Sequence, residues 1–391
     1  MTGKNICIIS GIFHPEQGGP ATYLYNLSND LAKKGHQLQV IAYGDQKKLV
    51  EDDISYPYSV TRISRNIPVI IRLLLFIKTI IKKAKKADLL YVNDYGLPAV
   101  LANFFLRKPI VMKIVGDFAW EYSVRKKFTK KDIDSFQKQK GLRINFMKAL
   151  QRFYVKKALK IITPSNYLKQ IITGWNIAPD KILIINNAIN YAEYLKKIGK
   201  ENLQDQYRLK GYKVLITVAR LAPWKGVDKT IEVLGALKRS DPTLKIKYIV
   251  IGAGDDLYRL KKIVAKHNLA NEILFLGKLP HPEVKKYLDI SDIFTLYSGY
   301  EGLPHVILEA MAAGLPVVVS DKGGTKELIK NGVNGFVVSV ENTKEYQEKL
   351  LHLLQDEKLC HDFSVQNLED IKKYSWQNLL NTTEKVLKEH I

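Results

Sequence analysis

Two glutamates eight positions apart, Glu301 and Glu309, stand in the stretch YEGLPHVILEAMAAGLPVVVS, residues 300–320. Pro304 suits the first position of a helix, where its missing N–H removes no bond. Val306, Ile307, Leu308, Ala310 and Met311 make that helix strongly apolar. Gly314 suits the position just past its end, and Pro316 prevents continuation. The β-branched run PVVVS then reads as a buried parallel strand. Glu301 therefore falls in the loop before the helix, and Glu309 two turns inside it. A carboxylate on a mostly buried helix requires a partner. The helix N-terminus, with bare N–H groups and a partial positive charge, suits a phosphate. From these residues alone two readings stand: a capping carboxylate with a structural ion pair, or part of a phosphate-binding site.

Other candidate residues share one position in the pattern, just after a strand. In FHPEQGGPATY, Gly18 and Gly19 allow close backbone approach before a helix opened by Pro20. The spacing is not G-x-G-x-x-G and no acidic residue ends the second strand, which argues against an NAD enzyme. In VARLAPWKGVDKTI, Arg220 and Lys225 lie on a turn before a helix. They are either surface cations or a diphosphate clamp, Arg as a fork and Lys as a point charge. VIGAGDDL adds Gly252 and Gly254, with room for a base or ribose. LGKLPHPEV supplies Leu279 and its neighbouring backbone as an edge for a base, and Gly302 and Leu303 lead into the helix that carries Glu309. No His/Cys cluster has the spacing of a metal site, so no metal is expected.

Stepping from these loops to what must hold them, the first half alternates strand and helix: ICIIS (6–10), PATYLYNLSNDLAKK (20–34), QLQVIAY (37–43), LLYVND (89–94), PIVMKIV (109–115), KIITPS (160–165) and KILIIN (181–186). The second half resumes with KVLITVA (213–219), KIKYIVIG (245–252), EILFLG (272–277), IFTLY (293–297) and PVVVS (316–320). Such alternation predicts βαβ units and parallel sheets. The expected fold is α/β, with two doubly wound Rossmann-like domains facing across a cleft. The expected bounds are 1–187, a polar linker at 188–212, and 213–374, with a C-terminal helix at about 375–391 returning to the first domain. Ligands of such sheets bind beyond the carboxyl ends of the strands.

Composition narrows the classes. A chain of 391 residues with 46% apolar content supports two full cores. Cys7 and Cys360 form no disulfide framework and suit a reducing compartment. The start MTGKNICIISGIFHP reads as a first strand, not a signal peptide. The net charge of +22 is uneven: residues 1–190 hold 31 Lys+Arg against 13 Asp+Glu, or +18. The first half is thus expected to face something anionic: nucleic acid, an acidic membrane or a phosphorylated substrate. The segment VIIRLLLFIKTIIKKAKK (69–86) is too short and interrupted to span a bilayer. It is either a helix packed on the first sheet with a solvated basic end, or a helix lying on anionic lipid. Residues 123–160 are basic with interspersed aromatics such as Tyr122, Phe128 and Phe146, a composition open to nucleic acid or membrane.

The motifs R-L-x-x-x-K-G, G-x-G and the two glutamates within EGLPHVILEAMAAGLPVVVSDKGGTKELIKNGVNGFVV resemble retaining glycosyltransferases of the GT-B fold, CAZy family four. HPEQGGPATYLYNLSNDLAKKGHQLQVIAYG is similar to the opening of the same family, so the likeness runs over most of the chain. The resemblance implies that Glu309 binds the ribose hydroxyls of a nucleotide and Glu301 the transferred sugar. The N–H groups after Gly302 would take the distal phosphate, with Arg220 and Lys225. Where the family commonly carries a histidine, this chain has Gly116 and Asp117, so Asp117 is expected to contact the sugar or the acceptor as a catalytic-site residue. Ala188 replaces the glycine of the usual Asn-Gly. The implied donor is a UDP-sugar, with GDP-mannose second, and the implied acceptor a saccharide or polyprenyl-linked saccharide. No cofactor or metal is implied. The enzyme would be cytoplasmic and peripheral on the inner face of the plasma membrane, with nucleic acid disfavoured as a partner. A non-catalytic polyanion binder and a GT-B nucleotide-sugar epimerase are the alternatives.

Overall fold

The structure, a computed structural model, describes residues 3–16, 18–44, 56–94, 96–195, 204–205 and 207–390. Contacts divide the chain into two units, Met1–Asn186 with Gln377–Ile391 and Asn187–Trp376.

The first unit is built on a seven-stranded sheet in the order β3-β2-β1-β4-β5-β6-β7. Its strands are β1 Asn5–Ser10, β2 Gln37–Tyr43, β3 Ser59–Ile63, β4 Leu89–Asn93, β5 Ile110–Lys113, β6 Lys160–Thr163 and β7 Ile182–Ile184. Neighbours pair in parallel; β1 registers Ile8 with Val40 on one side and with Tyr91 on the other. Ile6, Cys7, Ile8 and Ile9 are all buried, because helices cover both faces of a parallel sheet and leave no solvent side for polar alternation. The order reverses between β1 and β4, which makes the topological switch point of this sheet.

The second unit has six strands in the order β10-β9-β8-β11-β12-β13. They are β8 Lys213–Val218, β9 Ile246–Ile251, β10 Ile273–Gly277, β11 Ile293–Leu296, β12 Val317–Ser320 and β13 Gly335–Val338. Its switch point lies between β8 and β11. One face packs Ile216, Ile249, Phe294 and Val319 against the helix His305–Ala312 through Ile307, Leu308 and Met311. That helix starts at His305 rather than at Pro304, which is its N-cap, and Gly314 (φ 72°) follows its end.

Two strands, β3 and β13, have no counterpart in the sequence reading. Both are sheet edges. β3 runs from exposed to buried along SVTRI and lacks a continuous apolar run, and β13 is only four residues opened by a glycine. Of the expected linker, Ile189 is tied to the second unit by a bridge to Ser375 and by its N–H donating to the Tyr374 carbonyl at 3.1 Å. Residues 196–203 and 206 of that stretch lie outside the described residues.

The C-terminal helix Trp376–Lys388 buries Leu379, Leu380, Val386 and Leu387 and is also tied to the first unit by one buried carboxylate. Glu384 accepts from Lys34 Nζ at 2.5 Å, from Lys388 Nζ at 2.5 Å and from His36 Nε2 at 3.3 Å. Burial alone would raise this carboxyl, but the donors from Lys34, Lys388 and His36 together outweigh it and hold the group at about 2. A depressed carboxyl contributes stability that is full above its unfolded value near 4.5 and is lost as pH falls toward 2. Glu384→Gln is therefore expected to lower the melting temperature at pH 7 and to flatten the loss of stability between pH 4.5 and 2. Acid titration followed by circular dichroism checks both effects.

Candidate functional site

The loops that leave β8, β9, β10 and β11 converge at the switch point of the second sheet, and their backbones are stitched together. Gly299 N–H donates to the Trp224 carbonyl at 2.7 Å, Leu221 N–H to Ala253 at 3.0 Å and Gly252 N–H to Gly277 at 2.8 Å. Gly226 closes the turn after Lys225 with φ 68°, and a Cβ there would stand 1.9 Å from the Tyr297 carbonyl oxygen. Only glycine allows both the left-handed turn and that approach. The Gly-Gly pair after β12 does the same on the other flank. A Cβ on Gly323 would stand 1.9 Å from the Glu301 carbonyl oxygen, which accepts from Gly324 N–H at 2.9 Å.

This frame presents Lys225 to Glu301. Their Nζ and Oε1 lie 2.6 Å apart, with side chains 17% and 9% exposed. Both the structural ion pair and the ligand-site reading of Glu301 are thus consistent with one geometry, a mostly buried pair at the switch point of the second sheet. Arg220 is exposed and its guanidinium stacks 5.3 Å from the centre of the Trp224 ring. Gly302 and Leu303 form the turn into the helix His305–Ala312. The Leu303 carbonyl accepts from the buried Asn187 side chain at 2.7 Å. Leu279 is half-buried and packs on the core beneath the site.

Glu309, 9% exposed, does not stand alone. His281 Nε2, at the first residue of the helix His281–Ile290, lies 3.2 Å from Glu309 Oε1, and Tyr194 hydroxyl lies 3.3 Å from the same nitrogen. The hydrogen bond to Glu309 raises the His281 pKa above its ordinary 6.5, and burial opposes it. A carboxylate facing Nε2 requires a proton on that nitrogen, so the ring is either the Nε2–H tautomer or the imidazolium.

Gly18, Gly19 and Asp117 belong to the first unit. Gly18 is the N-cap and Gly19 the first residue of the helix Gly19–Lys33, after β1. Asp117 is 1% exposed and caps the helix Phe118–Arg125. Its Oδ1 accepts from Trp120 N–H at 3.0 Å and its Oδ2 from Gln137 Nε2 at 2.8 Å. Burial pushes its pKa up and those donors pull it back. Asp117 also lines a cavity of about 300 Å³ with Gln137, Lys148, Gln151 and Trp175. Asp132 and Asp134 do have the Asp-x-Asp spacing of some metal sites. Here Asp132 caps the helix Ile133–Lys138 and Asp134 accepts from Tyr167 hydroxyl at 2.9 Å. Among the described residues no three His, Cys, Asp or Glu side chains converge as metal ligands.

Sequence reasoning passed over His281 and Tyr194, whose contacts with Glu309 and with each other join residues distant in the chain. It also passed over two charged residues of the first unit, the buried Lys113 and the half-buried Asp94. Lys113, 2% exposed, points its Nζ 3.6 Å from the Tyr23 ring centre, and Asp94, with φ 64°, accepts from Val115 N–H at 3.1 Å. Burial drives Lys113 down and Asp94 up, each opposing charge partly restoring the other. The signal was a lysine inside the otherwise apolar run PIVMKIV.

Comparison with known proteins matches the two halves separately. The family model for glycosyl transferases group 1 matches residues 199–369, and that for glycosyltransferase family 4 matches residues 17–193. An uncharacterized glycosyltransferase of Methanocaldococcus jannaschii is 28% identical over 95% of this chain and 94% of that protein. A UDP-Gal:alpha-D-GlcNAc-diphosphoundecaprenol alpha-1,3-galactosyltransferase of Escherichia coli is 26% identical over 79% of this chain and 77% of its own length. Among solved structures, Anabaena HepE in complex with UDP and glucose superposes with a TM-score of 0.80 at 19% identity, covering 99% of this chain and all of that one.

The Lys225–Glu301 pair generates a stability prediction. Lys225→Ala leaves a buried carboxylate without its cation and is expected to cost about 1–3 kcal/mol. Adding Glu301→Gln to the same chain is expected to restore most of the loss. Urea unfolding of both single variants and the double variant checks this, and additive losses would contradict the pairing.

Proposed function

Because the chain belongs to the group 1 glycosyltransferases of the GT-B fold, we propose that it transfers a hexose from a nucleotide diphosphate sugar to a saccharide or polyprenyl-linked saccharide, with retention of configuration. The observation that carries this reading is the mostly buried Lys225–Glu301 pair, with Glu309 buried on the helix that follows it. Glu309 accepts from the ribose hydroxyls, and Glu301 accepts from hydroxyls of the transferred sugar. Arg220, Lys225 and the first N–H groups of the helix His305–Ala312 take the diphosphate. Gly252, Gly254 and Leu279 border the base. The acceptor oxygen bonds to the anomeric carbon on the face from which the sugar–phosphate bond breaks. The departing phosphate oxygen takes the acceptor proton. Its charge falls on fixed cations and helix dipole, so no metal is needed in the step. Asp117 contacts the sugar or the acceptor as a catalytic-site residue, and the backbone at Gly18 and Gly19 approaches the donor's phosphate.

A UDP-sugar is the first donor expected and GDP-mannose the second. The UDP complexes of HepE and the UDP-galactose named for the Escherichia coli enzyme support that order. A thermal-shift series with UDP, GDP and ADP tests it, since a ligand of the native state raises the melting temperature. Glu309→Ala is expected to weaken nucleotide binding about 10-fold or more, and Glu301→Ala to lower turnover at retained affinity, each losing bonds to a charged group. Turnover is expected to persist in EDTA. Unchanged binding and rate in both variants, or full loss of turnover in EDTA restored by manganese, would overturn the assignment.

The membrane reading rests on the surface of the first unit. Val69, Ile70, Ile71 and Leu74 are more than half exposed on the helix Val69–Lys83, which buries only Phe76 and Ile80. That helix packs against Leu97–Leu106, which exposes Phe104 and Phe105 and packs in turn on Leu142–Lys156, which exposes Leu142 and Phe146. No helix among the described residues is long and apolar enough to cross a membrane. Apolar side chains beside a strongly basic unit match the chemistry of an anionic lipid surface, where each Lys or Arg contributes about 1 kcal/mol. Vesicles containing phosphatidylglycerol are expected to bind the protein at low salt and neutral vesicles far less. Equal binding would remove the electrostatic anchor, and binding that survives high salt would assign the contact to the apolar face of residues 69–74.

A further inference from the structure

We propose that His281 is a positioning residue for Glu309 and makes the grip on the donor ribose depend on pH. The proposal rests on the ribose role assigned to Glu309 above. His281 is the first residue of its helix, 28 positions from Glu309, and the protein folds to bring its Nε2 to 3.2 Å from Oε1. The imidazole edge is 44% exposed, while the carboxylate is 12% exposed, so the ring exchanges protons with solvent and passes the change to a mostly buried acceptor. Tyr194 hydroxyl lies 3.3 Å from the same nitrogen, and its ring meets the imidazole edge-on at 6.4 Å between ring centres.

The groups facing this ring come from three elements. Glu309 approaches from the helix His305–Ala312, and Tyr194 and Glu193 from the helix Ala192–Leu195. Lys285, on the histidine's own helix, bonds Asp289 at 2.7 Å and lies 5.8 Å from the Tyr194 ring centre. Acidic groups thus dominate, and the strongest effect is the direct bond to Glu309, which lifts the ring's proton affinity above the ordinary 6.5.

The sign follows from competition for one carboxylate. In either protonation state Nε2–H donates to Oε1 and holds the carboxylate in one orientation. The imidazolium adds a full charge, which draws on the same lone pairs that ribose hydroxyls must use. Hydroxyls donating to Glu309 lessen its charge, so their binding releases a proton from His281. By linkage, the contribution of the hydroxyls to affinity must fall as pH drops through the histidine's titration, in the range above 6.5.

The test isolates those hydroxyls. Dissociation constants for UDP, GDP and ADP are measured from pH 5.5 to 8.5 alongside their 2′,3′-dideoxy counterparts, which keep the diphosphate charge. In the wild-type protein the preference for the ribose form is expected to shrink about three-fold or more from pH 8.5 to 5.5, the size of a partly exposed charge contact. His281→Gln keeps a donor that does not titrate; it is expected to retain the preference seen at pH 8.5 and to hold it flat. His281→Phe removes the donor and is expected to reduce the preference about three- to ten-fold at pH 8.5. An unaltered slope in His281→Gln, or full preference in His281→Phe, would overturn the inference while leaving Glu309 its role. A Glu309→Ala variant that still prefers the ribose form would instead remove the ribose role itself, as would failure of all three diphosphates to bind.

Discussion

A carboxylate withdrawn from water must find donors, and the second unit is arranged around two that were withdrawn. Glu301 lies where the loop after β11 crosses the switch point, and its burial is tolerable only because Lys225 reaches it from the loop after β8. That reach in turn needs the loop backbones to touch, which is why Gly226 and Gly323 have no room for a side chain. Glu309 is further in, on an apolar helix, and meets His281 from the loop after β10. Loops from four strands are therefore fixed relative to one another by the needs of two acids.

Much of this frame was readable before any coordinates. Interior strands announce themselves as β-branched runs such as VVVS and IVI, since a parallel sheet covered on both faces admits little else. The position of site residues just after those strands follows from the same topology. Two of the four edge strands were not readable: β3 mixes polar with apolar residues and is half covered, and β13 is four residues opened by a glycine. Partners were not readable either. Glu309 on its buried helix implied some donor, but only the fold selects His281, 28 residues away, and Asn187, which braces Leu303 across 116 residues. Asp117 was singled out because it stands where the resembled family carries a histidine; only the fold shows that it also caps a helix, with donors on both its oxygens.

The two units divide their electrostatics. The first carries +18 of the net +22, while the second is close to balanced and concentrates its charge in pairs such as Arg259 with Asp228 and Asp256. Excess charge of one sign attracts anions over a surface and selects none of them, whereas paired charge with defined geometry selects by hydrogen bonding. A unit that meets an extended anionic partner needs the first arrangement, and a unit that recognises one nucleotide needs the second. The first unit nevertheless draws in two charged residues of its own, the buried Lys113 over the Tyr23 ring and the half-buried Asp94, which accepts from Val115 N–H.

Under the roles proposed here, Lys225 has two anionic partners in succession. Without donor its charge is satisfied by Glu301 at 2.6 Å. A diphosphate offers it a second partner of greater charge, and a sugar hydroxyl offers Glu301 a replacement donor. Exchange then needs both ligand ends at once: a nucleoside diphosphate draws Lys225 away but leaves Glu301 without a donor, while a free sugar cannot outbid the ammonium. The intact nucleotide sugar satisfies both residues, so the ion pair discriminates in favour of substrate over its own fragments. Once the sugar departs, Glu301 again lacks a donor. Re-forming the pair with Lys225 loosens the remaining diphosphate, and the same contact that holds the empty site together helps to clear it.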